Sequence, residues 1–344
     1  MAQKRDPKPV NLALQGGGAH GAFTWGVLDR LLEDGRVAID GISGTSAGAM
    51  NAVVVADGLM RGGSREGARE RLREFWEAVG HSATLSPFRR GPFDVLFGNW
   101  NLDNSPGYVF MDILNRVASP YELNPFNINP LRDLIEATID FEKVRSCDRM
   151  KVFISATNVE TGRVKVFRGE ELTADMVLAS TCLPFMYQAV EVDGVPYWDG
   201  GYMGNPALFP FYNARTSPDI VIVQINPVTR PGAPRQARDI LNRVNEITFN
   251  SSLLREFRAI DFVARLLEQG LLDPKSYKQV LIHRIEAESE LNPLGASSKL
   301  NAEMGFLEHL FAIGREAAGE WLDASYEALG KRSTLDIRAM FQGD

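Results

Sequence analysis

Apolar residues are spaced along the first sixty positions in a pattern that predicts two strands, each followed by a helix. A mainly apolar run over 10–14 is typical of a buried strand, and a second strand is predicted over 37–43. The spacing predicts a helix over 21–33 and a second helix that opens near Ala47. This order of strand, helix, strand, helix indicates an α/β fold with a largely parallel sheet.

The rest of the chain continues this pattern and then becomes mainly helical. The residues predict an amphipathic helix within 61–80, a hairpin over 150–167, a helix over 173–180, strands within 190–206 and over 219–226, helices over 236–270 and 299–328, and a short strand between those two helices. We therefore predict an α/β domain over 8–226 and a mainly helical C-terminal region over 227–344 that packs on it.

The segment 85–110 is irregular, rich in Pro, Gly and Asn, and contains six aromatic residues. A solvated linker would not carry so many rings. Either the rings pack under a long loop, or they form a lid or acyl-chain wall beside an active site. For the second interpretation the candidates are Phe93, Phe97 and Trp100.

The composition is that of a protein with a substantial core, with 344 residues, 44% of them hydrophobic and 24% charged. A formal charge of −7 gives no electrostatic footprint for nucleic acid, so no nucleic-acid partner is expected. The four scattered histidines and two cysteines show no metal-ligand spacing, and we expect neither a metal nor a disulfide.

The N-terminal apolar stretch is too short for a signal peptide, and no segment approaches the roughly 18 to 20 apolar residues that cross a bilayer. Cytoplasmic residence is the expectation, with peripheral membrane contact and homo-oligomer formation left open.

The glycine loop QGGGAHG (15–21) follows the first strand and admits two interpretations. Gly16, Gly18 and Gly21 spell the dinucleotide fingerprint, and Asp40 lies about 20 residues further on, where a ribose-binding carboxylate belongs. Alternatively, the N–H groups of Gly16, Gly17 and Gly18 form an oxyanion hole. The loop alone does not decide between them.

A second glycine cluster, GTSAG (44–48), lies between a predicted strand and a predicted helix, which is the context of a nucleophile elbow. The turn exposes Ser46 Oγ, and glycine is needed at 44 and 48 because the backbone passes too close for side chains. Ser46 would also lie at a helix N-terminus, where the orphan N–H groups stabilise negative charge. This second motif favours the oxyanion interpretation of the loop.

A serine nucleophile needs a base, and none of the four histidines lies in a persuasive position. A carboxylate that acts directly on the serine is the alternative. The stretch YWDGG (197–201) offers Asp199 at a strand end, followed by glycines that allow close approach.

The motifs QGGGAHG, GTSAG and DGG (199–201), in this order, resemble the patatin-like phospholipase family over roughly residues 8–210. The resemblance implies a three-layer α/β/α fold, with residues 8–226 as the catalytic domain. It also implies a Ser-Asp dyad of Ser46 and Asp199, with Gly16, Gly17 and Gly18 as the oxyanion loop. One departure is His20, at a position where the family usually has Arg or Lys.

The resemblance further implies hydrolysis of lipid or other acyl esters through an acyl-enzyme, without metal or other cofactor. Partial burial of Asp199 would raise its pKa and make it a better base. Acyl transfer by the same intermediate stays open. Two rival functions are a catalytically weak lipid-binding or scaffold protein and a dinucleotide-binding oxidoreductase. The oxidoreductase leaves Ser46 and Asp199 without a role.

Overall fold

The strands of the computed structural model form one eight-stranded mixed sheet, and the structure describes residues 6–115, 117–212 and 216–342. In chain order the strands are β1 (Lys8–Leu14), β2 (Val37–Gly44), β3 (Lys151–Asn158), β4 (Val164–Arg168), β5 (Val190–Val192), β6 (Val195–Asp199), β7 (Asp219–Val223) and β8 (Leu281–Ile285). The spatial order is β5-β6-β3-β2-β1-β7-β8, and β4 pairs with β3. Strands β3, β2, β1, β7 and β8 run parallel, whereas β4, β5 and β6 are antiparallel to their neighbours.

The helices of the described residues vary from single turns to a helix of 32 residues. They are α1 (Gly21–Asp34), α2 (Ala47–Arg61), α3 (Arg65–Ser82), α4 (Pro92–Leu96), α5 (Pro106–Leu114), α6 (Pro120–Leu123), α7 (Pro130–Thr138), α8 (Phe141–Arg145), α9 (Ala174–Thr181), α10 (Ala237–Glu268), α11 (Glu288–Leu291), α12 (Met304–Ser325) and α13 (Ile337–Gln342). Short 3-10 helices include Gly18–His20 and Ala296–Leu300. Within the described ranges, no helix combines the length and apolar character needed to cross a bilayer.

Helices cover both faces of the sheet, because alternate residues of its central strands point to opposite sides. Leu12 and Leu14 of β1 join a core with α1, α2, α9 and α12 on one side. Ala13 of β1 and Ile222 of β7 join a second core on the other side, with α10 and α13. The result is the three-layer α/β/α architecture that was predicted. The buried part of β1 is apolar except for Asn11, because helices cover both of its faces.

The predicted strands and helices are confirmed, with bounds that shift by a few residues. The region 227–344 contributes a strand and two layers of packing: β8 pairs in parallel with β7, α12 packs on α1, and α10 covers the second face. The division into two domains stays a prediction.

Two sequence patterns have a different outcome in the structure. The apolar stripe over 236–270 predicts a covered helix face, but Ile240, Val244 and Ile247 are 43%, 52% and 54% exposed. Phe257, further along α10, is fully buried. In the segment 85–110, predicted as irregular, the short helices α4 and α5 form.

Candidate active site

Ser46 lies at the sharp turn between β2 and α2. Its backbone has φ 54° and ψ −120°, a combination that is strained for a residue with a side chain. A Cβ on Gly44 would lie 2.4 Å from the Gly48 carbonyl oxygen, and a Cβ on Gly48 would lie 2.4 Å from the Leu14 carbonyl oxygen. Only glycine fits at both positions, as predicted for an elbow. Ser46 is partly exposed, and the N-terminus of α2 begins directly after it.

Asp199 is the last residue of β6, and its side chain meets that of Ser46. The Ser46 side chain lies within hydrogen-bonding reach of the Asp199 carboxylate. The Gly201 N–H donates a hydrogen bond to Asp199 Oδ1 at 2.7 Å. Burial raises the pKa of Asp199 to about 6, although the Gly201 N–H, the Ser46 side chain and nearby Lys299 act in the opposite direction. The carboxyl group is therefore a stronger base than an exposed aspartate.

The sheet and a cluster of hydroxyl groups hold Asp199 beside the elbow. Asp199 pairs with Ala156 in the antiparallel β3–β6 ladder, and Thr157 Oγ1 donates to the Asp199 carbonyl at 2.8 Å. Thr45 Oγ1 donates to the Gly204 carbonyl oxygen at 2.6 Å, which ties the elbow to the loop after β6. The position of Asp199 relative to Ser46 thus depends on the β3–β6 strand pairing and on the buried hydrogen bonds of Thr157 and Thr45.

The glycine loop packs directly against the nucleophile. A Cβ on Gly16 would lie 2.7 Å from Ser46 Cβ, so a side chain there would displace the serine. The Gly16 N–H donates to Asn205 Oδ1 at 2.7 Å and is therefore already engaged. Gly17 and Gly18 lie at the N-terminus of the following 3-10 helix. The first hydrogen bond within that helix is donated by the His20 N–H to the Gly17 carbonyl oxygen at 3.1 Å, so the helix does not use the Gly17 and Gly18 N–H groups. Of the three predicted oxyanion donors, Gly16 has its N–H engaged within the protein, and the oxyanion role of Gly17 and Gly18 stays a prediction.

His20 is 3% exposed and carries no charge. The Ser298 hydroxyl donates to the Gly295 carbonyl oxygen at 2.7 Å, so it accepts at 2.7 Å from His20 Nε2, which must carry the proton. Burial, together with the charge of neighbouring Lys299, lowers the pKa of His20 to about 3. The departure at position 20 is thus a neutral ring that joins the loop to the C-terminal region.

The other histidines lie in unrelated environments. His283 is buried and lies 2.9 Å from Asp219 Oδ1, His309 stacks on Trp100 with ring centroids 5.7 Å apart, and His81 is exposed near the end of α3. Across residues 6–115, 117–212 and 216–342, no group of three or more His, Cys, Asp or Glu side chains could hold a metal ion.

Both cysteines are free thiols, with Cys182 buried and Cys147 partly exposed.

Asp40, the ribose candidate of the dinucleotide interpretation, accepts a hydrogen bond from the Ser217 N–H at 2.7 Å. It therefore has a structural role at the N-terminal side of the sheet, because Ser217 lies two residues before β7.

The three aromatic candidates of the segment 85–110 separate into two environments. Phe93 and Phe97 are 76% and 79% exposed, because Asp94 between them points inward and accepts from Asn99 Nδ2 at 2.8 Å. Trp100 instead stacks on Phe306 of α12, with ring centroids 5.1 Å apart. Trp100 is therefore a packing residue, and the predicted lid or acyl contact is restricted to the two phenylalanines.

Residues that were not predicted complete the site. Ser180 of α9 accepts from the Ser46 N–H at 2.9 Å, Asn205 holds Gly16, and Lys299 lies close enough to Asp199 to influence its charge. Ser180 and Asn205 lie within residues 8–210, over which the sequence resembles the family. Lys299 had no such signal, since it comes from the C-terminal region.

A surface groove of about 750 Å³ lies against β3, β4 and α8. Its lining includes neither Ser46 nor Asp199, so it is separate from the candidate active site.

The comparisons with known proteins agree with the α/β/α fold class. The family model described as patatin-like phospholipase matches residues 12–212, which include the glycine loop, the elbow and Asp199. The chain belongs to the patatin-like phospholipase family. This membership supports hydrolysis of lipid acyl esters as the general class of activity. Among curated protein sequences, none is significantly similar to this chain.

Two solved structures are similar to this chain at low sequence identity. VipD from Legionella pneumophila is 14% identical, with a TM-score of 0.43, and the match covers 93% of this chain and 67% of that one. The ExoU–SpcU complex from Pseudomonas aeruginosa is matched at 15% identity with a TM-score of 0.38, over 94% of this chain and 52% of that one. The chain therefore spans about half the length of the chain it matches in that complex.

Proposed function

We propose that the protein is a lipid acyl hydrolase in which Ser46 is the nucleophile and Asp199 the general base. The observation that carries this proposal is the position of the Ser46 side chain, on a strained elbow and within hydrogen-bonding reach of the buried Asp199 carboxylate. The raised pKa of Asp199 suits it to accept a proton near neutral pH. No histidine is needed as an intermediary.

The acylation step follows from this geometry. Asp199 takes the Oγ proton as Ser46 Oγ attacks the ester carbonyl carbon, which forms a tetrahedral oxyanion. The Gly17 and Gly18 N–H groups stabilise that oxyanion, and Gly16 keeps the loop against Ser46. The bond to the alcohol oxygen then breaks, and Asp199 returns the proton to the leaving alcohol.

Hydrolysis of the acyl-enzyme repeats the sequence with water. Asp199 takes a proton from the water molecule as its oxygen attacks the acyl carbon, and the second tetrahedral intermediate collapses. The carboxylic acid leaves, and the proton on Asp199 returns to Ser46 Oγ. An alcohol acceptor in place of water would give acyl transfer, which product analysis by mass spectrometry distinguishes.

A fluorophosphonate probe and a lipid-ester assay test this proposal. We expect the probe to label Ser46, and both Ser46→Ala and Asp199→Asn to lose about 10³-fold or more in kcat/KM, because nucleophile and base act as one unit. Glu191→Gln is a matched control, since it removes a carboxylate from an exposed position on neighbouring β5. Labelling at another residue, or near-normal turnover by either dyad variant, would exclude the assignment. A stable protein that binds lipid but never turns it over would favour the scaffold function.

A further inference from the structure

Lys299 reaches the glycine loop from the C-terminal 3-10 helix. A Cβ on Gly18 would lie 2.3 Å from the Lys299 carbonyl oxygen, so the two backbones are in direct contact. The His20–Ser298 hydrogen bond, at 2.7 Å, joins the same two segments close to this contact. The segment that carries Lys299 is therefore held rigidly against the oxyanion loop.

A short chain of hydrogen bonds connects the Lys299 ammonium group to this loop. Lys299 Nζ donates to Asn226 Oδ1 at 2.6 Å. Asn226 Nδ2 in turn donates to the Gly16 carbonyl oxygen at 2.8 Å. Gln15 Oε1 accepts from the Asn226 N–H at 2.8 Å and fixes the asparagine. The position of the cation and the position of the loop are thus coupled.

The charged groups around Lys299 come from four different elements. Glu246 of α10 favours the charged form of Lys299 more than Asp199 does, but Arg230 binds both carboxylate oxygens of Glu246 at 2.8 Å, and Arg243 binds one of them at 3.1 Å. His20 is neutral, as its environment requires. Asp199 is therefore the acidic neighbour of Lys299 that no arginine neutralises.

We propose that Lys299 is a positioning residue of the Ser46–Asp199 site, and that its positive charge keeps Asp199 ionised and favours the negative charge that develops at the loop. This proposal rests on the proposed function. Lys299 touches neither Ser46 nor the reacting atoms but acts through Asp199 and through Asn226. It makes the C-terminal region part of the active site.

The charge state of this lysine is sensitive to pH. Burial lowers the pKa of Lys299 to about 8, while Glu246 and Asp199 favour the charged form and Arg230 disfavours it. Asp199 must be ionised and Lys299 protonated at the same time. The wild type should therefore be most active between about pH 6 and pH 8, with a decrease on either side.

The test is the pH profile of kcat/KM on a short soluble ester for the wild type, Lys299→Met and Lys299→Arg. Lys299→Met keeps an apolar side chain but no charge, so we expect kcat/KM at pH 7 to fall about tenfold or more. The acid limb of its pH profile should move to higher pH, and the alkaline limb near pH 8 should disappear. Lys299→Arg keeps the charge, so activity at pH 7 should be largely retained and the alkaline limb should move up by more than one unit.

Two results would overturn the proposal. One is a Lys299→Met enzyme with both wild-type limbs, and the other is a Lys299→Arg enzyme whose alkaline limb stays near pH 8. The second result is decisive even if Lys299→Met does not fold. Ser46→Ala is measured in parallel: if it remains active, the proposed function fails, whereas an inactive Ser46→Ala with unchanged Lys299 variants refutes this inference alone.

Discussion

The contact between α1 and α12 provides a quantitative test of how the C-terminal region is attached. The two helices approach so closely that a Cβ on Gly314 would lie 2.0 Å from the Phe23 carbonyl oxygen. A Cβ on Gly26 would likewise lie 2.0 Å from the Phe311 carbonyl oxygen. Because an ordinary contact needs about 3.5 Å, Gly314→Ala must push the helices apart by well over an ångström.

Two opposing effects determine the result of Gly314→Ala. Alanine in a helix interior is favoured over glycine by about 1 kcal/mol. Overpacking of a close contact typically costs about 1–3 kcal/mol, and here the atom that must move is backbone. The separation would also disturb the Trp25–Phe311 ring pair, with centroids 4.1 Å apart, and the ion pair of Arg315 with buried Asp29. We expect a net loss of about 2 kcal/mol in the free energy of unfolding.

Urea unfolding followed by circular dichroism measures this loss as a lower midpoint. The matched control is Gly319→Ala on the same helix, where the nearest atom, Arg30 Nε, would lie 3.7 Å from the new Cβ. That variant keeps the helix-propensity gain without a clash and should unfold at a slightly higher urea concentration. If Gly314→Ala unfolds at or above the wild-type midpoint, the close approach of α1 and α12 is refuted.

Two further predictions concern the site and its surroundings. Ser180→Ala removes the acceptor of the Ser46 N–H hydrogen bond. Because the elbow then relaxes, this variant should lower kcat/KM by about tenfold with little change in KM. Ser146→Ala, at an exposed position, is the control and should have no effect. The double variant Phe93→Ser with Phe97→Ser should lower activity on phospholipid vesicles by tenfold or more and leave a short soluble ester unaffected, since both rings are exposed. Phe262→Ser on α10 is the exposed control, and equal losses on both substrates would contradict membrane contact.

The elements of the site could be predicted because each depends on residues close together in the sequence. The elbow places Gly44, Ser46 and Gly48 within five positions, and a Cβ on either glycine would lie only 2.4 Å from a backbone carbonyl oxygen. β1 was recognisable because both of its faces are covered, so its residues need no alternation. For Asp199, position at a strand end next to glycines was sufficient to select it as a candidate.

Contacts between distant segments could not be predicted in the same way. Gly16 and Asn205 are 189 positions apart, so no local pattern shows that the Gly16 N–H is engaged. The aromatic spacing in 85–110 does not distinguish exposed Phe97 from packed Trp100, because Asp94 and α12 determine which ring turns inward. Similarly, the stripe on α10 shows that a helix face is apolar, but Val244 has no covering element among the described residues.

The residue at position 20 illustrates why a side chain cannot be interpreted from its own position alone. A histidine in a catalytic loop suggests a base or a pH-dependent charge, yet burial and the charge of Lys299 keep His20 neutral throughout the physiological range. The same packing places Lys299 one residue beyond Ser298. A cation at position 20 would be buried beside that lysine, and the two like charges would repel each other in a region with little water. A neutral ring at position 20 and a cation at position 299 are therefore two parts of one arrangement.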